Sequence, residues 1–145
     1  MLELSTRLVT CIVLLAGFAR AASAADILIA DEKSSPESLT VASGGVLIAG
    51  SSSSPFVYKV RAGQTTAEKF VDASTEGAGT FFLGVLADNA TNTLWTCQLT
   101  PVPNTTPPQR RSILRGFNIS SGAQTVRWSL PGESGCGVRL LHQLH

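Results

Sequence analysis

Ser38–Ala42 (SLTVA), Val46–Gly50 (VLIAG), Phe56–Arg61 (FVYKVR) and Thr66–Val71 (TAEKFV) decide the fold. Each is a short run of mainly aliphatic, β-branched or aromatic residues. Ser43-Gly44-Gly45, Ser51–Pro55 and Ala62-Gly63-Gln64 separate them. Runs of this length, bounded by Gly, Ser and Pro, predict strands joined by tight turns, which is an antiparallel meander.

The same order then recurs. Phe82–Ala87 (FLGVLA), Thr93–Gln98 (TLWTCQ), Ser112–Ile119 (SILRGFNI) and Gln124–Leu130 (QTVRWSL) repeat the four runs. Leu47 and Leu94 stand 47 apart, Tyr58 and Phe117 stand 59 apart, and Phe70 and Trp128 stand 58 apart. The jump places a 12-residue insertion in Thr100–Gln109 (TPVPNTTPPQ). Its four prolines lack a ladder donor, so the segment is expected outside the sheet. A period of about 40–50 residues with four strands per unit is the mark of a β-propeller blade. The reading is therefore all-β, with two four-stranded antiparallel blades at about residues 34–72 and 80–131. An eight-stranded sandwich is the alternative. No helical period of useful length follows the N-terminal segment.

That segment, residues 1–24, reads as a signal-peptide helix. Leu8–Ala19 (LVTCIVLLAGFA) is an apolar run of 12 residues after Arg7, and Ala22 and Ala24 form an Ala-x-Ala site. The run is short of the ~20 residues of a membrane span. The chain is thus expected to be secreted or periplasmic, free of the membrane once cleaved; an uncleaved anchor is the alternative. In an oxidising compartment Cys97 and Cys136 can form one bridge. They are read here as two separate buried thiols, with the bridge as the alternative.

The 145 residues carry 11 Lys and Arg against 10 Asp and Glu, and only 14% are charged. Near-balance argues against a nucleic-acid partner, which needs a clustered basic surplus.

Pro36-Glu37-Ser38-Leu39-Thr40-Val41-Ala42 with Gly45–Gly50 resembles the opening blade of the senescence marker protein/gluconolactonase/luciferin-regenerating-enzyme-like family. Val57–Gly63, Leu83–Asp88 and Asn92–Cys97 continue the likeness, over about residues 34–134. The resemblance implies a six-bladed propeller whose enzymes hydrolyse sugar lactones with a divalent metal such as calcium. Glu37 resembles the first-blade metal ligand, and a carboxylate suits a hard cation. The metal would polarise the lactone carbonyl and activate water. Two blades carry no catalytic residue of the family pattern. The likeness stops near Cys136, and residues 135–145 form a divergent tail. The chain is therefore expected to be a truncated member, from truncation or a reading-frame change, and inactive as it stands. The alternative is an exported, non-catalytic binding or interaction module. Either way, exposed blade faces invite self-association, and Phe81–Leu86 is the run most exposed to aggregation.

The remaining polar residues have plain readings. Glu37 without partner ligands is a solvated carboxylate. Asp88 caps a turn. Asp31-Glu32 beside Lys33 is a solvated acidic pair. Ser51–Ser54 is a flexible loop without a nucleophile elbow. Arg110, Arg111 and Arg115 form a solubilising basic patch. Trp95 and Trp128 belong to blade core. His142 and His145 are terminal residues without a third metal ligand.

Overall fold

A computed structural model describes residues 26–130, and the expected signal peptide at 1–24, Cys136, His142, His145 and the tail at 135–145 lie outside them. The strands are β1 (Pro36–Ala42), β2 (Val46–Ser51), β3 (Phe56–Val60), β4 (Glu68–Asp72), β5 (Phe81–Asp88), β6 (Thr93–Val102), β7 (Gln109–Asn118) and β8 (Gln124–Ser129). The fold is all-β, and every strand pairing is antiparallel. Turn chemistry sets the boundaries. Gly122 adopts φ +75° in the β7–β8 turn, a conformation that L side chains rarely adopt.

The eight strands form one curled sheet rather than two detached ones, in the order β4-β3-β2-β5-β6-β7-β8, with β1 also paired to β2. Bulges interrupt the pairs β1–β2, β3–β4, β5–β6 and β7–β8. A bulge increases local twist, so these irregularities curl the sheet. Curling brings Ile48, Val57 and Val71 of the first four strands against Phe82, Val85, Leu94 and Phe117 of the second four. This shared face is the core, and removing its apolar area from water is the main favourable term in folding.

The two halves join at a narrow seam. Ser51 pairs with Phe82, the single register pair between β2 and β5. A Cβ on Gly50 would sit 2.8 Å from the Phe82 carbonyl oxygen, so only glycine permits this approach. Both β1 and β5 run antiparallel to β2, hence parallel to each other. Hydroxyls stitch them: the Val85 N–H donates to Ser38 Oγ at 3.1 Å, and the Ala87 N–H donates to Thr40 Oγ1 at 3.0 Å.

Several expectations need correction. Pro101 lies within β6, opposite Arg110, so the insertion lengthens β6 and β7 instead of leaving the sheet. This is tolerated because the last β5–β6 pair is Phe81 with Leu99, and β6 beyond it has a neighbour on one side only. Phe81–Leu86 is no exposed edge: β5 sits between β2 and β6, with Phe82 and Val85 in the core. Cys97 is disulfide-bonded, not a free buried thiol, and its partner lies outside the described residues. Pairing also shifts the repeat register on the third strands. Leu47 faces Val60 and Leu94 faces Phe117, so Val60, not Tyr58, is the counterpart of Phe117.

Candidate functional site

Glu37 stands near the start of β1 and is exposed. Among the described residues no group of three or more His, Cys, Asp or Glu side chains gathers to hold a metal. A hard cation takes ~6–8 oxygen ligands, and Glu37 alone does not make that site. No chemical step is routed through a metal here.

The structure concentrates polar groups elsewhere. On the inner face of the second half, Arg115 is buried and donates through Nη1 to Gln98 Oε1 at 2.6 Å and through Nε to Gln124 Oε1 at 2.8 Å. Its Nη2 also donates to Gln124. Glu76, from the β4–β5 connection, accepts two hydrogen bonds from Arg127, both at 2.8 Å, and lies 3.6 Å from Arg115. The Arg127 hydrogen bonds hold the Glu76 carboxyl below its usual range, with charge attraction from Arg127 and Arg115 adding to the effect. This corrects the surface-patch reading of Arg115. A buried guanidinium is tolerated when its donors find acceptors and its charge a partner; here the Gln98 and Gln124 amides accept and the Glu76 carboxylate lies close enough for charge attraction. Asp88 does cap its turn: its carboxylate accepts from the Thr91 hydroxyl at 2.6 Å and from the Ala90 N–H at 3.0 Å.

A second network ties the N-terminal segment to β3. Tyr58 donates to Asp31 Oδ2 at 2.6 Å and lies 2.8 Å from Ser54 Oγ. Burial, and then the bond to Asp31, pushes the Tyr58 hydroxyl up to about 12. The Tyr58 hydrogen bond is also the main reason the Asp31 carboxyl sits below its usual range. Asp31 is therefore a structural anchor rather than a freely solvated acid. Ser51 and Ser54 are buried, and Ser51 Oγ accepts backbone N–H bonds from Ser35, Ser53 and Ser54. The serine run is a hydrogen-bonded corner, not a loose loop.

A cavity of about 230 Å³ opens where turns from both halves meet. Val46 and Ile119 line its apolar side, and Ser43, Asn89, Asn92 and Ser120 supply polar groups. The Ser43 N–H donates to Asn89 Oδ1 at 2.7 Å and bridges the halves. Lys59 lines the cavity with its side chain only 8% exposed. Its ammonium sits 3.7 Å from the Phe70 ring centroid and 3.9 Å from Glu68, beyond hydrogen-bond distance. Burial lowers the Lys59 pKa, opposed by Glu68. No sequence motif marked this residue; its only signal was a lysine inside an apolar strand.

The outer faces are the remaining candidates. On the first half Leu39 is 63% and Val41 60% exposed, beside an apolar groove of about 210 Å³ lined by Leu47, Val60 and Ile29. On the second half Trp128 is 54% exposed and stacks on Trp95 at 5.9 Å. The Trp95 indole N–H has no hydrogen-bond partner among the described residues. Both tryptophans therefore face outward, away from the core formed between the halves.

Among the described residues no helix is long and apolar enough to cross a membrane. No family model, curated protein or solved structure matches the chain.

Proposed function

We propose that residues 34–131 form two blades of gluconolactonase-like type and that the exported chain works as an interaction module, completing its blade stack with further copies of itself. One observation carries this reading. Pairing equates the Leu39, Val41 and Leu47 face of the first half with the Val85, Ala87 and Leu94 face of the second. In the second half that face is buried against the Ile48 face of the first; in the first half Leu39 and Val41 are exposed and Leu47 half-buried, while Ala49, Tyr58 and Val60 of the same face are buried beside Ile27 and Ile29. The counterpart of the Ile48 face in the second half carries Trp128, which is exposed, beside half-buried Trp95 and buried Cys97. Each of the two surfaces equivalent to those in the internal contact thus keeps an exposed apolar part, Leu39 and Val41 on one and Trp128 on the other. Such a contact is heterologous, head to tail, and closes when the rotation suits a ring. The parallel β1 and β5 support the blade reading, because equivalent strands of successive blades run alike around a central axis.

On this reading calcium-dependent lactone hydrolysis belongs to the six-bladed enzymes of the family that the sequence resembles. In this chain Glu37 would need oxygen ligands from further blades, so no turnover is assigned to it. Size-exclusion chromatography with light scattering tests the proposal. The expected result is a discrete oligomer, with a trimer of two-bladed chains supplying six blades, and Leu39→Asp or Trp128→Asp reduces it to monomer. A wild-type monomer at all concentrations overturns the reading. Sugar-lactone turnover with added calcium, abolished by Glu37→Gln, replaces it with the enzymatic one.

A further inference from the structure

The cavity at the turn end has a feature that the fold itself does not require. Lys59 faces Ile48 across β2 and β3, and the corresponding pair in the second half is Trp95 with Gly116. The same position in the repeat is filled by glycine, so blade geometry does not demand a cation there. The side chain of Lys59 is nevertheless more than nine-tenths buried. Its ammonium is held by an ion pair with Glu68 at 3.9 Å and by the Phe70 ring at 3.7 Å, and no side-chain hydrogen bond among the described residues occupies its donors, which leaves them available to a ligand in the cavity. The one carboxylate nearby, Glu68, is shared: it lies 3.3 Å from Arg61 Nη2 and 3.9 Å from Lys59 Nζ.

Arg61 also lines the cavity, and no acidic side chain does. Asp88, which precedes the lining residue Asn89, turns its carboxylate back into its own turn. Two cations against one shared carboxylate leave a net positive charge at the mouth of a pocket. The Asn92 amide and the Ser120 hydroxyl are hydrogen-bonded to each other at 3.1 Å, which holds one wall in place. A cavity of about 230 Å³ is smaller than the ~300–1,000 Å³ of sites for drug-sized ligands. At ~30 Å³ per water it has room for only a few small groups.

We infer that this cavity binds a small oxyanion, a carboxylate or phosphate group, on Lys59 and Arg61. The ammonium makes a charge-assisted hydrogen bond from the cavity wall, and Arg61, more exposed, steers the anion from the mouth. The Ser43 and Asn89 turn groups contact whatever polar substituents the ligand carries. Because these turns come from opposite halves, a bound anion also clamps the halves together. The inference is independent of the assembly proposed above, since every residue involved lies within one chain.

Isothermal titration of the full chain at low ionic strength tests it, using inorganic phosphate and, separately, tartrate. Saturable binding is expected, weakening as salt rises. Lys59→Gln removes a charge-assisted bond and should weaken it about ten- to hundredfold. Arg61→Gln should weaken it severalfold, and Arg111→Gln, an exposed arginine away from the cavity, should leave it unchanged. Should Lys59→Gln not fold, Arg61→Gln and the shift of the Asn89 side-chain amide signal on titration decide alone. Tighter tartrate binding assigns a hydroxy-carboxylate, and tighter phosphate binding assigns a phosphate ligand. Absence of saturable binding for both, or binding unaffected by the Lys59 and Arg61 variants, overturns the inference.

Discussion

The two halves of this chain are built on one plan and put the same face to opposite uses. In β2 Leu47 is half-open to solvent while Ala49 on the same side is buried; in β6 its equivalent Leu94 is fully buried. The first half turns its Ile48 face inward, and the second half turns inward the face that carries Leu94, Thr96 and Arg115. Position in the stack, not the local pattern, decides which residues become core. A repeat unit cannot bury its own surface, so its neighbours define its inside.

The sharpest way to break that comparison is to truncate the equivalent leucines. Leu94→Ala deletes fully buried methyl groups and leaves a cavity, at a cost of about 2–5 kcal/mol. Leu47→Ala removes a half-buried side chain, and area loss alone predicts about 1 kcal/mol in the monomer. Urea denaturation at low protein concentration measures both. Equal losses would mean that the two faces are buried alike, and the proposed difference between the halves would fall. A Leu47→Ala cost that grows with protein concentration instead sharpens it, because association would then cover that face.

The alternation of strands and turns made all eight strands legible, including most of their limits, because Gly, Ser and Asn signals coincide with the hairpins. Which face would be core was not legible. Trp95 and Trp128 looked like core by residue type, yet Trp128 is exposed because no described element covers the outer face of β8. Arg115 looked like a surface cation within Arg110–Arg115, but strand alternation turns it inward against Gln98 and Gln124. Its acceptors lie 17 and 9 residues away, a pairing that only the sheet register reveals. Lys59 was missed for the same reason, since the cavity is made by turns distant in sequence. Glu37 was singled out by resemblance, and the described residues bring no further ligand to it.

The Glu76 network separates the halves by pH as well. Its carboxyl titrates below the ordinary value of 4.5, chiefly because Arg127 donates to it. The folded state therefore binds this proton less readily than the unfolded chain. That contribution is complete above the unfolded value and declines as pH falls through the lowered folded value. Glu76→Gln should cost about 1–3 kcal/mol at neutral pH, since Arg127 loses a charged acceptor and Arg115 a neighbouring counter-charge. It should also flatten stability between about pH 5 and pH 3. Asp31, Asp72 and Asp88 are lowered too, so part of the acid slope remains. Denaturant midpoints across that range measure the change, and an unaltered slope would remove Glu76 from the account.

The smallest effect lies at the seam. Between β1 and β5 the contact is completed by side-chain hydroxyls: Thr40 accepts from the Ala87 N–H, and Ser38 from the Val85 N–H. Thr40→Val keeps the shape and leaves the Ala87 donor without its acceptor, for about 1 kcal/mol. Ser38→Ala should act similarly at Val85. Hydrogen exchange reads these two amides directly. Each should exchange faster in its own variant while the central β6–β7 ladder stays protected, because local opening draws on the weakest contacts first. Loss of protection throughout β5–β8 in either variant would show that the seam holds the second half together rather than merely aligning it with the first.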